Sequence, residues 1–183
     1  MTILTVNNEI PAKKIRKINI YKDKVFDEVD RITYRYADAA AMQDVKQRNA
    51  VTSDAGEAMD RVQMDQMARY RDSLLRRRLV FALSDKMDSS ASNAEGESSV
   101  FAYNLVLDEG FDDNNIQPMA DMIHRYFVYG ILCDWYSQLG QAQYAVYESK
   151  LGELEMEIVS MARGKSIHKR PLQPFGPAGK IDF

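Results

Sequence analysis

The stretch from Ile116 to Gly164 constrains the fold more than any other part of this chain. It reads as two helices joined at Leu139-Gly140, and the two carry different apolar patterns. In the first, Met119, Met122, Ile123, Tyr126, Phe127, Gly130 and Ile131 form a stripe, while Val128, Tyr129, Leu132 and Cys133 fill most of the remaining circumference. A helix apolar nearly all round is covered on several sides, by its own domain or by a neighbour. In the second, Tyr144, Tyr147, Leu151, Leu154, Ile158 and Met161 recur at steps of three and four as a narrow seam, opposite Glu148, Lys150, Glu153, Glu155 and Glu157. The short joint permits an antiparallel pair, with the first helix central and the second exposed on one side.

Around this pair the chain divides into three parts. Residues 1–19 read as a basic, extended lead-in, since Pro11 opposes an early helix and Lys13, Lys14, Arg16 and Lys17 follow it. Residues 20–164 read as a helical domain. Its first helix is expected from about Tyr21 to Ala40, with Val25, Val29, Ile32 and Tyr36 at helical steps, and a polar connection of unsettled form follows from Ala41 to Ser53. Asp54 and Glu57 then favour the first turn of another helix running to about Leu83, with Met67, Tyr70, Leu74 and Phe81 on one side and Leu75, Leu79 and Ala82 widening the stripe. The small polar residues of Ser84 to Ser99 predict a mobile loop. After it, Val100 to Leu107 alternate as a strand, whose partner is expected from Thr2 to Val6 or from another subunit. Asp112 to Asn115 are helix-capping types, and Pro118 suits a first turn. Gly164 reads as a helix C-cap.

Residues 165–183 form the third part. Pro171, Pro174, Pro177, Gly176 and Gly179 exclude a helix or a central strand, yet Ile167, Leu172, Phe175, Ile181 and Phe183 are large and apolar. Such a segment reads as an extended arm that docks onto another protein through Ile167, Arg170, Pro171, Leu172, Pro174, Phe175, Ile181 and Phe183. The expected class is therefore mainly α: a helical bundle of about four long helices with a short strand or hairpin element and extended N- and C-terminal arms.

With 183 residues, 45% hydrophobic and 28% charged, the chain suits one globular domain with a real core. A net charge of -3 argues against general affinity for nucleic acid, although both ends are basic. The single cysteine, Cys133, forms no intramolecular disulfide, and nothing suggests secretion. No signal peptide or membrane span is expected, because Asp121, His124, Arg125 and Asp134 interrupt the most apolar helix.

Catalytic signatures are weak. Asp121 and His124 have the spacing of a bundle metal site, but the only other histidine, His168, has no carboxylate three residues before it. Cys133 lacks a nucleophile's surroundings, and Asp134 raises its pKa. Asp112-Asp113 is better explained by capping than by a cation site, Trp135-Tyr136 by packing, and Arg76-Arg77-Arg78 as a solvated flank or a contact with an acidic partner or DNA. No metal, cofactor or enzymatic activity is expected.

Several segments together resemble the head-to-tail connector, or adaptor, proteins of tailed bacteriophages. They are Tyr103 to Asp112, the helical runs Tyr126 to Tyr136 and Ala145 to Glu148, and Arg170-Pro171-Leu172-Gln173-Pro174-Phe175 in the tail. The first half is similar only in its helical layout with a variable loop. The resemblance implies a non-enzymatic virion protein, made in the host cytoplasm, that closes into a ring of commonly about twelve copies by repeating one heterologous contact. It also implies a C-terminal arm inserted into the portal protein, an opposite face that receives the tail or a second ring protein, and a lumen through which DNA passes. The competing reading is a dimeric helical binding or regulatory module that meets nucleic acid through its basic ends.

Overall fold

Alternation decides the first element. Ile18 and Ile20 stand two apart behind Lys14 and Arg16, and in the computed structural model, which describes residues 13–39, 61–84 and 99–164, this side of Lys13–Tyr21 (β1) turns inward. β1 pairs antiparallel with Val100–Asp108 (β2), in a register running from Lys13 opposite Asp108 to Tyr21 opposite Val100. The strand partner is thus neither Thr2 to Val6 nor another subunit. Four cations among five residues hid the period of two in β1, leaving only Ile18 and Ile20 to mark it. The boundary expected after residue 19 falls inside this strand.

The chain passes from Tyr21 directly into Lys22–Ala39 (α1), which buries Val25, Val29 and Ala37 and rests Ile32 and Tyr36 against the core. Arg61–Arg78 (α2) follows. It buries Met64, Ala68 and Leu75, whereas Tyr70 and Phe81 are exposed, so the expected stripe was rotated by part of a turn. The helix also stops at Arg78 rather than Leu83. Leu79 to Ala82 turn, and Leu83 bridges to Leu105, where the Ser84 N–H donates to the Asn104 carbonyl at 2.9 Å. That contact closes the outer edge of β2.

A 3₁₀ turn, Asp113–Asn115, leads into Ile116–Gln138 (α3), and the Asp112 carboxylate caps the turn by accepting the Asn114 N–H at 2.9 Å. After the joint comes Gln143–Ala162 (α4). Gly140 makes the joint possible with φ 63°, a left-handed conformation costly for other residues. Its N–H reaches the Ser137 carbonyl at 3.1 Å and the Gln141 N–H reaches that of Tyr136 at 2.9 Å, which satisfies two carbonyls at the end of α3. Gly164 ends α4 in the same conformation, as expected.

α3 is the axis of the molecule: β1, α1, α2 and α4 all pack on it. Phe101 of β2 stacks on Phe127 at 4.6 Å between ring centroids, and Tyr36, Tyr136 and Tyr147 form a ladder from α1 through α3 to α4. The all-round apolar character of α3 is therefore satisfied within one chain. Neither α3 nor the strand demands a neighbouring subunit. The proposed loop between Ser84 and Ser99, the Ala41 to Ser53 connection, the helix start at Asp54 and Glu57, and the arm at 165–183 lie outside the described residues, except for Ser84 and Ser99 themselves.

Candidate docking surfaces

The residues with chemical potential are mostly engaged by the fold. His124 Nε2 lies 2.8 Å from Glu28 Oε2, tying α3 to α1, while Asp121 accepts the Gln117 amide at 2.9 Å. Among the described residues no group of three or more His, Cys, Asp or Glu side chains is placed to hold a metal ion. Cys133 is buried with its sulfur 3.8 Å from the Tyr144 carbonyl, and desolvation pushes the thiol pKa up against the pull of Arg71. Asp113 is gripped by Arg16 at 2.7 and 3.0 Å and by Lys14 at 2.9 Å, and its carboxyl is pulled down to about 2, chiefly by the Arg16 hydrogen bond. Trp135 and Tyr136 are buried.

The three successive arginines have three different fates. Arg76 is no solvated flank: it bonds Asp72 and the Ala102 carbonyl, each at 2.8 Å, and covers the Tyr103 ring. Tyr103 in turn donates to Asp72 at 2.6 Å, so α2 is locked to β2, and burial raises the phenol pKa well above its ordinary value. Arg78 reaches Glu155 on α4 at 3.1 Å. Arg77 is exposed and makes no ion pair among the described residues.

Arg77 and Arg78 form one wall of a groove of about 570 Å³ between α2 and α4, floored by Tyr126 and Cys133 on α3. Glu148 and Glu155 form the other wall. Arg71 crosses the floor to make a two-pronged pair with Asp134, at 3.0 Å for Nε to Oδ2. Gly130 permits the crossing, because a Cβ there would lie 2.8 Å from Arg71 Cγ. Among the described residues the thiol in the groove has no histidine beside it, and His124 is committed to Glu28. The groove thus has one cationic and one anionic wall over a partly apolar floor.

Two outward faces complete the surface. Lys13, Ile15, Lys17 and Tyr21 project from β1, and its free edge has no strand partner among the described residues. On α4, Val146, Glu148, Glu153, Met156 and Glu157 are exposed. The helix ends beside the body, with Arg163 over the Phe81 ring at 5.0 Å, and from Gly164 the chain continues into the segment carrying Ile167, Arg170, Pro171, Leu172, Pro174, Phe175, Ile181 and Phe183. Those eight residues lie outside the described set.

Sequence spacing could not reveal Arg71 with Asp134, which stand 63 positions apart, or the buried pair Lys22 and Asp65 at 2.5 Å, which stand 43 apart. Gly130 did leave a trace, as a glycine inside an otherwise bulky helix. No helix among the described residues is long and apolar enough to cross a membrane. Comparison with protein-family models, with curated proteins and with solved structures finds no match for this chain.

Proposed function

We propose that this chain is a non-enzymatic structural subunit of a tailed-phage virion, assembled as a ring between the portal and the tail, with DNA passing through the lumen. The observation that carries the proposal is the C-terminal segment: five large apolar residues among prolines and glycines, continuing from a helix that ends at the surface of the body. An apolar segment barred from helix by its prolines gains most by lying along a partner. The body supplies a groove and two exposed faces, and the segments similar to connector proteins supply β2, much of α3 and the start of α4. The mechanism is geometric. Each subunit grips its neighbours through the helical body and the portal through its arm.

The arm is tested by purifying the chain with and without residues 165–183 and measuring capture by its portal. Capture should be lost on deletion while the helical far-ultraviolet signal of the body remains. Unchanged capture would refute the arm, and single particles without a ring, with and without portal, would refute the assembly.

The nucleic-acid reading loses support from the N-terminal side. Lys14 and Arg16 are engaged with Asp113, and Lys14 also donates to the Phe111 carbonyl, which leaves Lys13 and Lys17 as the outward cations of that run.

A further inference from the structure

Two surfaces of this molecule have opposite charge and face away from the axial helix. We propose that they are the two halves of one contact, by which the β1 face of one copy meets the α4 face of the next. The inference rests on the ring assembly above and names the surfaces that would close it.

The β1 face presents Lys13 and Lys17, neither with an ion-pair partner among the described residues, on either side of Ile15, which is 58% exposed. Tyr21 extends the apolar centre at 50% exposure. Asp108, across from Lys13, is the anion of this face, and Lys24 lies over Tyr21 at its far end. The α4 face presents Glu153 and Glu157, likewise without ion-pair partners among the described residues, around Met156 at 68% and Val146 at 54% exposure, while Glu148 belongs to the groove wall. Lys150 is drawn to the flank over the rings of Tyr129 and Tyr147, and Glu155 is tied to Arg78, so neither sets the charge of the outer face. Each surface thus has an apolar centre and a charged rim, the anatomy of a protein contact.

Gly152 adds an independent sign. It lies in the interior of α4, is exposed, and a Cβ built on it meets nothing within 4 Å. A glycine in a helix interior is less favourable than alanine, and among the described residues nothing in this copy requires it. Gly152 borders the groove, and Ala145, Ser149 and Ser160 are exposed beyond it, so α4 offers low relief beside Met156 on which a flat sheet face can come close.

The charges also fix the symmetry. Base on base and acid on acid repel, so a two-fold contact of either face with itself is disfavoured. The favoured pairing joins unlike faces and leaves one of each free, which propagates until the rotation closes it.

The test uses full-length chains with reversed charges: Lys13→Glu with Lys17→Glu, and Glu153→Lys with Glu157→Lys. Each variant alone carries two faces of like sign and should lose self-association in sedimentation by at least about tenfold in Kd, with the melting transition unchanged. An equimolar mixture should regain assembly, because each reversed face finds its complement on the other variant. Variants that each assemble like the natural chain, or a mixture that stays monomeric, would overturn the contact while leaving a ring of other surfaces standing. A natural chain that never associates, at any concentration or with portal, would overturn the ring itself.

Discussion

Helices α3 and α4 are neighbours in sequence and in space, yet α3 buries eleven of its 23 residues and α4 only three of its 20. The difference lies in who covers them. α3 is enclosed by elements drawn from both ends of the described chain, while α4 leans on α3 along one seam and turns Glu153, Met156 and Glu157 outward. The lesson is that hydrophobic density in a sequence does not identify an assembly surface. The greasiest helix here is the one its own chain has finished covering, and the amphipathic one keeps an exposed face.

The sharpest way to break this contrast is to truncate one side chain on each helix. Phe127→Ala removes a fully buried ring stacked on Phe101 and should cost about 4 kcal/mol in urea unfolding. Met156→Ala should leave that transition within about 0.5 kcal/mol while weakening self-association. Equal losses at the two positions would mean that α4 is covered as fully as α3.

A second comparison concerns ion pairs. Lys22 and Asp65 meet at 2.5 Å with side chains only 7% and 12% exposed, and Arg69 also holds the carboxylate at 2.5 Å. Desolvation works against the Asp65 charge, but these hydrogen bonds outweigh it and hold the pKa below the ordinary value. Lys22→Met should therefore destabilise by about 3 kcal/mol, since one buried charge loses the more buried of its two partners, and adding Asp65→Leu should recover most of the loss. A single variant as stable as the natural chain would show that Arg69 alone suffices.

The smallest effect belongs to the exposed pair. Asp113 titrates at about 2 when folded, against 3.8 ordinarily, so its ties to Arg16 and Lys14 contribute fully above the ordinary value and are lost as pH falls toward 2. Asp113→Asn should flatten the acid side of the stability profile between pH 4 and pH 2, read as urea midpoints, and lower the midpoint at pH 7 by the same small amount, because the contribution removed is fully present there and is screened by solvent. An undiminished acid slope would show that the pair adds nothing to the fold.

Much of the layout was legible in the sequence because it is local. The steps of Val25, Val29, Ile32 and Tyr36 set the start of α1 to within a residue, and the alternation of Phe101, Tyr103, Leu105 and Leu107 marked the buried side of β2. Gly140 and Gly164 were readable as helix ends because only a left-handed backbone is needed there. The strand Lys13–Tyr21 was missed because its inward positions include Lys14 and Arg16, whose charges are neutralised by Asp113, 97 positions from Arg16. Arg76 was misjudged for a similar reason: its partners Ala102 and Tyr103 lie on a strand that comes beside it only after folding.

Local pattern was enough to place α1, α3 and α4, the alternation of β2 and the glycine turns at Gly140 and Gly164, since φ and ψ preferences and periodicity act over a few residues. Only the tertiary structure decided that β1 belongs to the sheet, that Arg71 passes over Gly130 to Asp134, and that α3 is sealed by its own chain. Those outcomes depend on burial and charge pairing between residues dozens of positions apart, and the free energy of bringing such groups together is a property of the packed body rather than of any stretch within it.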